Sequence, residues 1–270
     1  MEHAIQDVEL EQTCEEALAW SACYGILALA LEPPSEELLR ELRFGPTRDA
    51  LLYATTVLDS LPGPALLKET DPESLAVPLR ERAAAWLQTF SSLSAGELLE
   101  THGRLFGHTA RGEVCPYETE YGAEGLFQQP RRLALVSGFY RAFGLKPRET
   151  ERERADHMSC ELEFLSFLHR KEAYANRSGD EETLRETRRA IALFLRDHVA
   201  RFGRAFARRL AEQDAQGYFG KWGELLFDFL TLECRRLRIE PGPATLRLRS
   251  AEEDAVPMAC GGDSELVQIT

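Results

Sequence analysis

Apolar residues recur at helical spacing almost from end to end of this chain, and the residues between the runs are those that start and stop helices. Ala17 to Leu31 carries no charge and is flanked by Glu16 and Glu32. Thr13-Cys14-Glu15-Glu16 ahead of it reads as a capping box. Pro33-Pro34 closes that helix. Ser35 can cap a short helix from Glu36 to Leu42, and Thr47 another to about Asp59. Leu61-Pro62-Gly63-Pro64 is a break. Asp71-Pro72-Glu73 opens a helix towards Phe90, with Pro78 as the later start. Ser94-Ala95-Gly96-Glu97 is a second capping box, for a helix to about Phe106.

From Gly107 to Gly122 the periodicity stops. A loop of this length is unusual in a compact domain and often carries function. Pro130 then suits a first helical residue, and Leu133, Val136, Phe139, Tyr140 and Phe143 keep helical spacing up to Gly144. Another helix begins near Asp156, striped by Met158, Leu162, Leu165 and Leu168. Ile191, Leu195, His198, Phe202, Phe206 and Leu210 mark a long helix, and Trp222, Leu225, Phe229 and Leu232 the last. Strand alternation is confined to Leu246–Arg249, after a Pro-Gly-Pro break. The expectation is an all-α chain: one globular multi-helix domain over residues 1–240, then a mostly irregular extension over 241–270. Residues 251–270 hold five acids and no base.

Charge narrows the partners. The net charge is −13. That disfavours nucleic acid and anionic membrane surfaces, and favours cationic partners through steering. The longest apolar run falls short of the roughly 20 residues needed to span a bilayer. The acidic N-terminus has the wrong sign for an export signal, so neither signal nor anchor is expected. The six cysteines form no C-x-x-C pair and read as reduced. Residues 1–100 carry 18 acids and 6 bases. Residues 183–209 instead carry eight arginines against Glu186 and Asp197, which reads as a solvated helix face.

Most catalytic templates fail: there is no P-loop, no dinucleotide fingerprint, no zinc-protease motif and no nucleophile elbow. Cys115 with His108 is a conceivable nucleophilic pair, or simply a loop cysteine and a surface histidine. Cys260 reads as an incidental thiol or as a contact for a metal or partner. In Asp156-His157-Met158-Ser159-Cys160-Glu161, Asp156 can cap the helix, while His157 and Glu161 are four apart and share a face. This is either a satisfied pair at a helix start or part of a site. Tyr117 and Tyr121 are interleaved with Glu118 and Glu120, and form either a peptide-binding surface or a loop folded over the core.

Four segments in this order are similar to the redox-enzyme maturation chaperones, the TorD/DmsD-like family. They are Gly103–Gly107, Cys115-Pro116-Tyr117-Glu118-Thr119-Glu120-Tyr121-Gly122, Ser137–Leu145 and, most strongly, Glu153-Arg154-Ala155-Asp156-His157-Met158-Ser159-Cys160-Glu161 through Leu165. The family usually has proline before the Asp-His pair; here it is Ala155. The resemblance implies an all-helical, enzymatically inactive cytoplasmic chaperone. Its partners would be the catalytic subunit of a dimethyl-sulfoxide-reductase-type molybdoenzyme and that subunit's twin-arginine leader. It would assist cofactor insertion and delay export until the subunit is folded. No tightly bound cofactor is implied, only transient contact with molybdopterin guanine dinucleotide or GTP, and the protein would be a monomer or a domain-swapped dimer. Asp156 and His157 would lie at the peptide groove, with Leu105, Phe106, Tyr117, Glu118, Tyr121 and Glu161 as candidate neighbours. The alternatives are a helical regulatory or scaffold protein that binds another amphipathic helix, or a nucleotide hydrolase.

Overall fold

The computed structural model describes residues 2–61, 77–91, 93–107, 112–122, 129–146 and 154–249, with backbone only for residues 2–9 and 91. Helices follow one another: α1 Glu2–Leu29, α2 Glu36–Phe44, α3 Pro46–Asp59, α4 Leu79–Gln88, α5 Ala95–Phe106, α6 Gln129–Ala142, α7 Met158–Ser178, α8 Glu181–Phe194, α9 Ala200–Gln213 and α10 Tyr218–Arg236. Among the described residues there is no strand, only two isolated bridges. The all-α expectation is met. The opening proposed at Asp71-Pro72-Glu73, the partner His108, Cys260 and residues 251–270 lie outside the described residues.

Local chemistry explains most boundaries. Ser35 accepts from Leu38 N–H at 3.1 Å, and Ser94 with Glu97 forms the expected reciprocal box. Two expected caps are not used. Thr13 lies inside α1, where its hydroxyl donates to Leu10 O, because α1 is continuous from residue 2. Thr47 gives way to Pro46, whose fixed φ suits the first turn of α3, with Gly45 as the cap. α4 takes the later start after Pro78. The Asp59 carboxylate, at the end of α3, accepts from Leu79 and Arg80 N–H at 2.9 and 3.0 Å and so caps α4 from a distance.

Two close helix pairs organise the core. α1 packs along α7, where Ser21 Oγ donates to Ser166 O at 2.9 Å and Ser166 Oγ returns a bond to Ser21 O at 2.8 Å. α9 packs along α10, while α3 and α8 flank the first pair and α4 joins α3 to α10. Trp20, Trp86, Trp222 and Phe90, Phe194, Phe202, Phe206, Phe219 and Phe229 are fully buried. Each buried Phe stabilises the fold by about 1.5–3 kcal/mol.

One buried polar group crosses this core. His169 Nε2 lies 2.8 Å from Glu233 and its Nδ1 3.1 Å from Glu172, while Tyr24 donates to Glu233. Burial raises Glu233 to about 7. Burial also acts to raise Glu172, but His169 and Arg188 prevail and hold it at about 2. The network ties α1, α7 and α10 together, and its members can share protons rather than each bear a full buried charge.

The α9–α10 approach depends on glycine. A Cβ on Gly223 would sit 2.5 Å from Ala207 O, a backbone atom that cannot yield. On Gly203 it would meet the end of the Leu230 side chain at 2.6 Å, which can rotate away. Gly223→Ala is therefore expected to lower stability by about 1–3 kcal/mol. Gly203→Ala should be nearly neutral, since helix propensity offsets the repacking. Denaturant midpoints of the two variants check this contrast.

Candidate functional site

The long loop and the start of α7 form one knot. Glu118 N–H donates to Asp156 O at 2.9 Å and Met158 N–H donates to Pro116 O at 2.8 Å, pairing Tyr117 with His157 as an antiparallel bridge. Glu118–Glu120 then turn as a short 3₁₀ segment. The far side of the loop is held by residues 241–249. Gly122 N–H donates to Arg247 O, Arg249 N–H donates to Glu120 O, and Tyr121 bridges Leu248. This described part of the extension therefore packs on the domain.

Asp156 sits at the centre, fully buried. It was expected to cap α7. Instead its carboxylate accepts from Thr119 N–H at 3.1 Å, Thr119 Oγ1 at 2.8 Å, and Arg154 Nε and Nη2 at 2.9 and 2.8 Å. The cap is His157, whose Nδ1 accepts from Ser159 N–H at 3.2 Å. The expected His157–Glu161 pair does not form. An N-cap residue has extended dihedrals, so the i, i+4 geometry of a helix does not apply to its side chain.

Glu161 is directed inward and is fully buried, and neither carboxylate oxygen accepts a hydrogen bond. Burial, then the carboxylates of Glu118 and Asp156, push its pKa well above the usual range. As a neutral acid it can donate to Glu118, whose Oε1 is otherwise without a hydrogen bond. The other Glu118 oxygen lies 2.9 Å from His198 Nδ1. His198 reaches it from a π-helical turn, Leu195–Val199, inserted between α8 and α9. The long helix marked by Ile191 to Leu210 is thus interrupted where it meets this site.

Six of the eight candidate residues are buried: Leu105, Phe106, Glu118, Tyr121, Asp156 and Glu161. Tyr117 and His157 are half-buried and stand edge to face, 5.2 Å apart. Tyr121 faces inward, its hydroxyl donating to Cys115 O at 2.7 Å and its ring 5.3 Å from Phe202. Leu105 O accepts from Val114 N–H at 2.8 Å and anchors the start of the loop, while Phe106 packs 5.3 Å from Phe219. Leu105 and Phe106 support the loop from its far end, whereas the other six meet at the knot. The loop is thus folded over the core by one tyrosine and open at its rim by the other.

The sequence did not single out Arg154, although it stands two residues before Asp156. Its guanidinium bonds Asp156 and Thr119, reaches Glu120 at 3.1 Å, and lies 4.4 Å from the centre of the Tyr117 ring. Glu120 also meets Arg249 at 3.1 Å and Gln129 at 2.9 Å. Beside the knot, a cavity of about 400 Å³ is lined by Phe139, Leu135, His198, the carboxylates Glu118 and Asp197 and the arginines Arg131, Arg132 and Arg201, with Arg132 3.6 Å from Glu118. Cys115 is buried, and burial lifts its thiol to about 12. Such a thiol supplies almost no thiolate at neutral pH. No cluster of metal-binding side chains occurs among the described residues, and no described helix is long and apolar enough to cross a membrane.

These features define an all-helical protein in which a buried polar knot holds a long loop and leaves Tyr117 and His157 at its rim. The chain belongs to the nitrate reductase delta subunit family, whose model matches residues 72–208, about half of the chain. It is 34% identical over 119 residues to a selenate reductase assembly chaperone protein of Thauera selenatis, covering 44% of this chain and 56% of that protein. It is 26% identical over 130 residues to the chaperone protein TorD of Photobacterium profundum, covering 48% and 59%. The matches thus span somewhat over half the length of these curated relatives. The TorD-like resemblance read from the motifs is borne out.

Glu161 gives a pH test. Its folded pKa is raised, so above the ordinary carboxylate range the folded state binds more protons than the unfolded, and stability falls as pH rises. Glu233, raised to about 7, acts with the same sign. Glu161→Gln keeps the shape and removes the titration. The variant should lose less stability than the parent between pH 5 and 9, measured by thermal melting (an interval spanning roughly the carboxylate-to-alkaline range). Parallel curves would show that Glu161 does not hold its proton.

Proposed function

We propose that this chain is a cytoplasmic, client-specific assembly chaperone with no catalytic activity of its own. Its client is the catalytic subunit of a dimethyl-sulfoxide-reductase-type molybdoenzyme. It binds that subunit's twin-arginine leader, keeps the subunit open for cofactor insertion and delays export until folding is complete. The names of the two relatives support the chaperone class, and the buried Cys115 weighs against a thiol enzyme.

The manner in which Arg154 is held carries the leader assignment. A planar guanidinium there meets two carboxylates, a hydroxyl and an aromatic face, the combination that suits arginine better than lysine. A client arginine arriving at the rim can stack on Tyr117 and pair with Glu120 beside Arg154, while the buried Asp156 stays bonded to Arg154 and Thr119. Tyr117 and His157 contact the leader directly. Glu118, Tyr121, Asp156 and Glu161 position that rim from below, and Leu105 and Phe106 position the loop. The net charge of −13 speeds encounter with a basic leader. Arg131, Arg132 and Arg201, around the neighbouring cavity, suit the phosphates of a nucleotide-bearing cofactor during transfer or of GTP.

The test is titration of the full chain with a synthetic twin-arginine leader from a molybdoenzyme catalytic subunit. Joint Tyr117→Ala and His157→Ala substitution should weaken binding about tenfold, as loss of an aromatic anchor does, while helical circular dichroism is retained. A leader with lysines in place of the arginine pair should also bind the parent more weakly. Equal affinity in both comparisons would remove the rim assignment and favour a scaffold that binds another helix.

A further inference from the structure

A second surface lies at the other end of α7. That helix has 21 residues, so its C-terminal turn is about 30 Å from His157. There, α1 and α3 line a cavity of about 740 Å³ that also takes in Arg177 of α7. Leu10, Cys14, Leu18 and Ala22 recur every four residues along the α1 wall, and Tyr53 and Ala54 form the α3 wall. Leu10, Leu18 and Tyr53 are 40%, 51% and 60% exposed, high for large apolar side chains gathered at one place. Glu11 and Glu15 stand beside the α1 row, Glu15 accepting from the Tyr53 hydroxyl across the groove, so two carboxylates outnumber the one cation, Arg177, among the lining charges.

We propose that this groove is a second docking surface, for a basic amphipathic helix of the client protein. Both walls are helices whose backbone groups are already paired, so a strand finds no edge to join, whereas a helix can lay side-chain ridges into the i, i+4 rows. Alanines at 19, 22 and 54 make the floor shallow enough for a close approach. Leu10 to Ala22 spans about 18 Å, just over three helical turns. Lysines or arginines flanking the apolar stripe would face Glu11 and Glu15, in the first 100 residues, which carry 18 acids against 6 bases. The same charge disfavours an anionic membrane and the chain's own residues 251–270, which hold five acids and no base. The identity of the partner as client rests on the chaperone assignment above; the groove chemistry does not. Two sites on one client raise avidity without a tighter contact at either.

The experiment titrates the full chain with two synthetic amphipathic helices of about 18 residues, each with a leucine stripe, one flanked by lysines and one by glutamates. The lysine peptide should bind about tenfold tighter than its glutamate counterpart, and Leu18→Glu should abolish that binding. Joint Glu11→Lys and Glu15→Lys substitution should reverse the preference. All three positions are exposed, and melting curves should match the parent. These variants should leave leader affinity unchanged, and the Tyr117/His157 variant should leave lysine-peptide affinity unchanged, so the two sites fail separately. The docking assignment is overturned if the two peptides bind alike, or if Leu18→Glu changes the oligomeric state of the protein without peptide. The latter would make the groove an interface between copies.

Discussion

A carboxylate with no exposure to water must have its charge met by donors that the fold holds in place, or it costs several kcal/mol. Asp156 meets that demand with four hydrogen bonds from Thr119 and Arg154. Those bonds reach from the loop and from the turn before α7, so satisfying one buried charge fixes the position of both. Everything else at the site follows from this tie. The backbone bridge of Tyr117 with His157 sets their rings at the rim, the 3₁₀ turn aims Glu118 at His198, and Arg249 closes the outer side through Glu120. Truncation of Asp156 would orphan the donors as well as remove a contact, which makes the residue structural before it is functional.

Much of the fold was legible because helix signals are local. Ser35 and Ser94 with Glu97 act on their own first turns, and apolar periodicity reports which face each helix buries. Caps were harder to place than helices: α1 runs through the apparent box at Thr13, Pro46 displaces Thr47 at the start of α3, and the late start of α4 after Pro78 is capped by the distant Asp59. The motif at residues 153–165 correctly marked a special region, but spacing could not tell that Asp156 would face the loop rather than its own helix. Nothing in the local pattern joins Glu118 to His198, 80 residues away, or Glu120 to Arg249. His198 appeared only as one position on an apolar stripe, and the π turn that presents it has no sequence signature here.

The charge asymmetry of the chain reflects two different physical situations. At the knot, carboxylates are mostly buried and shared with arginines and a histidine, and burial pushes Glu161 towards its neutral form. On α1 they stand in water beside an apolar groove. The first arrangement gives shape and selectivity for a planar cation at short range. The second gives a field and a surface that a basic helix can use. Under the proposed function, the two surfaces would be separate contacts with one client.

The most direct measurement is recovery of the tagged full chain from the cytosol of its native host, with bound proteins identified by mass spectrometry. The account predicts one molybdoenzyme catalytic subunit carrying an uncleaved twin-arginine leader. Recovery of no oxidoreductase from cells that express one would contradict it.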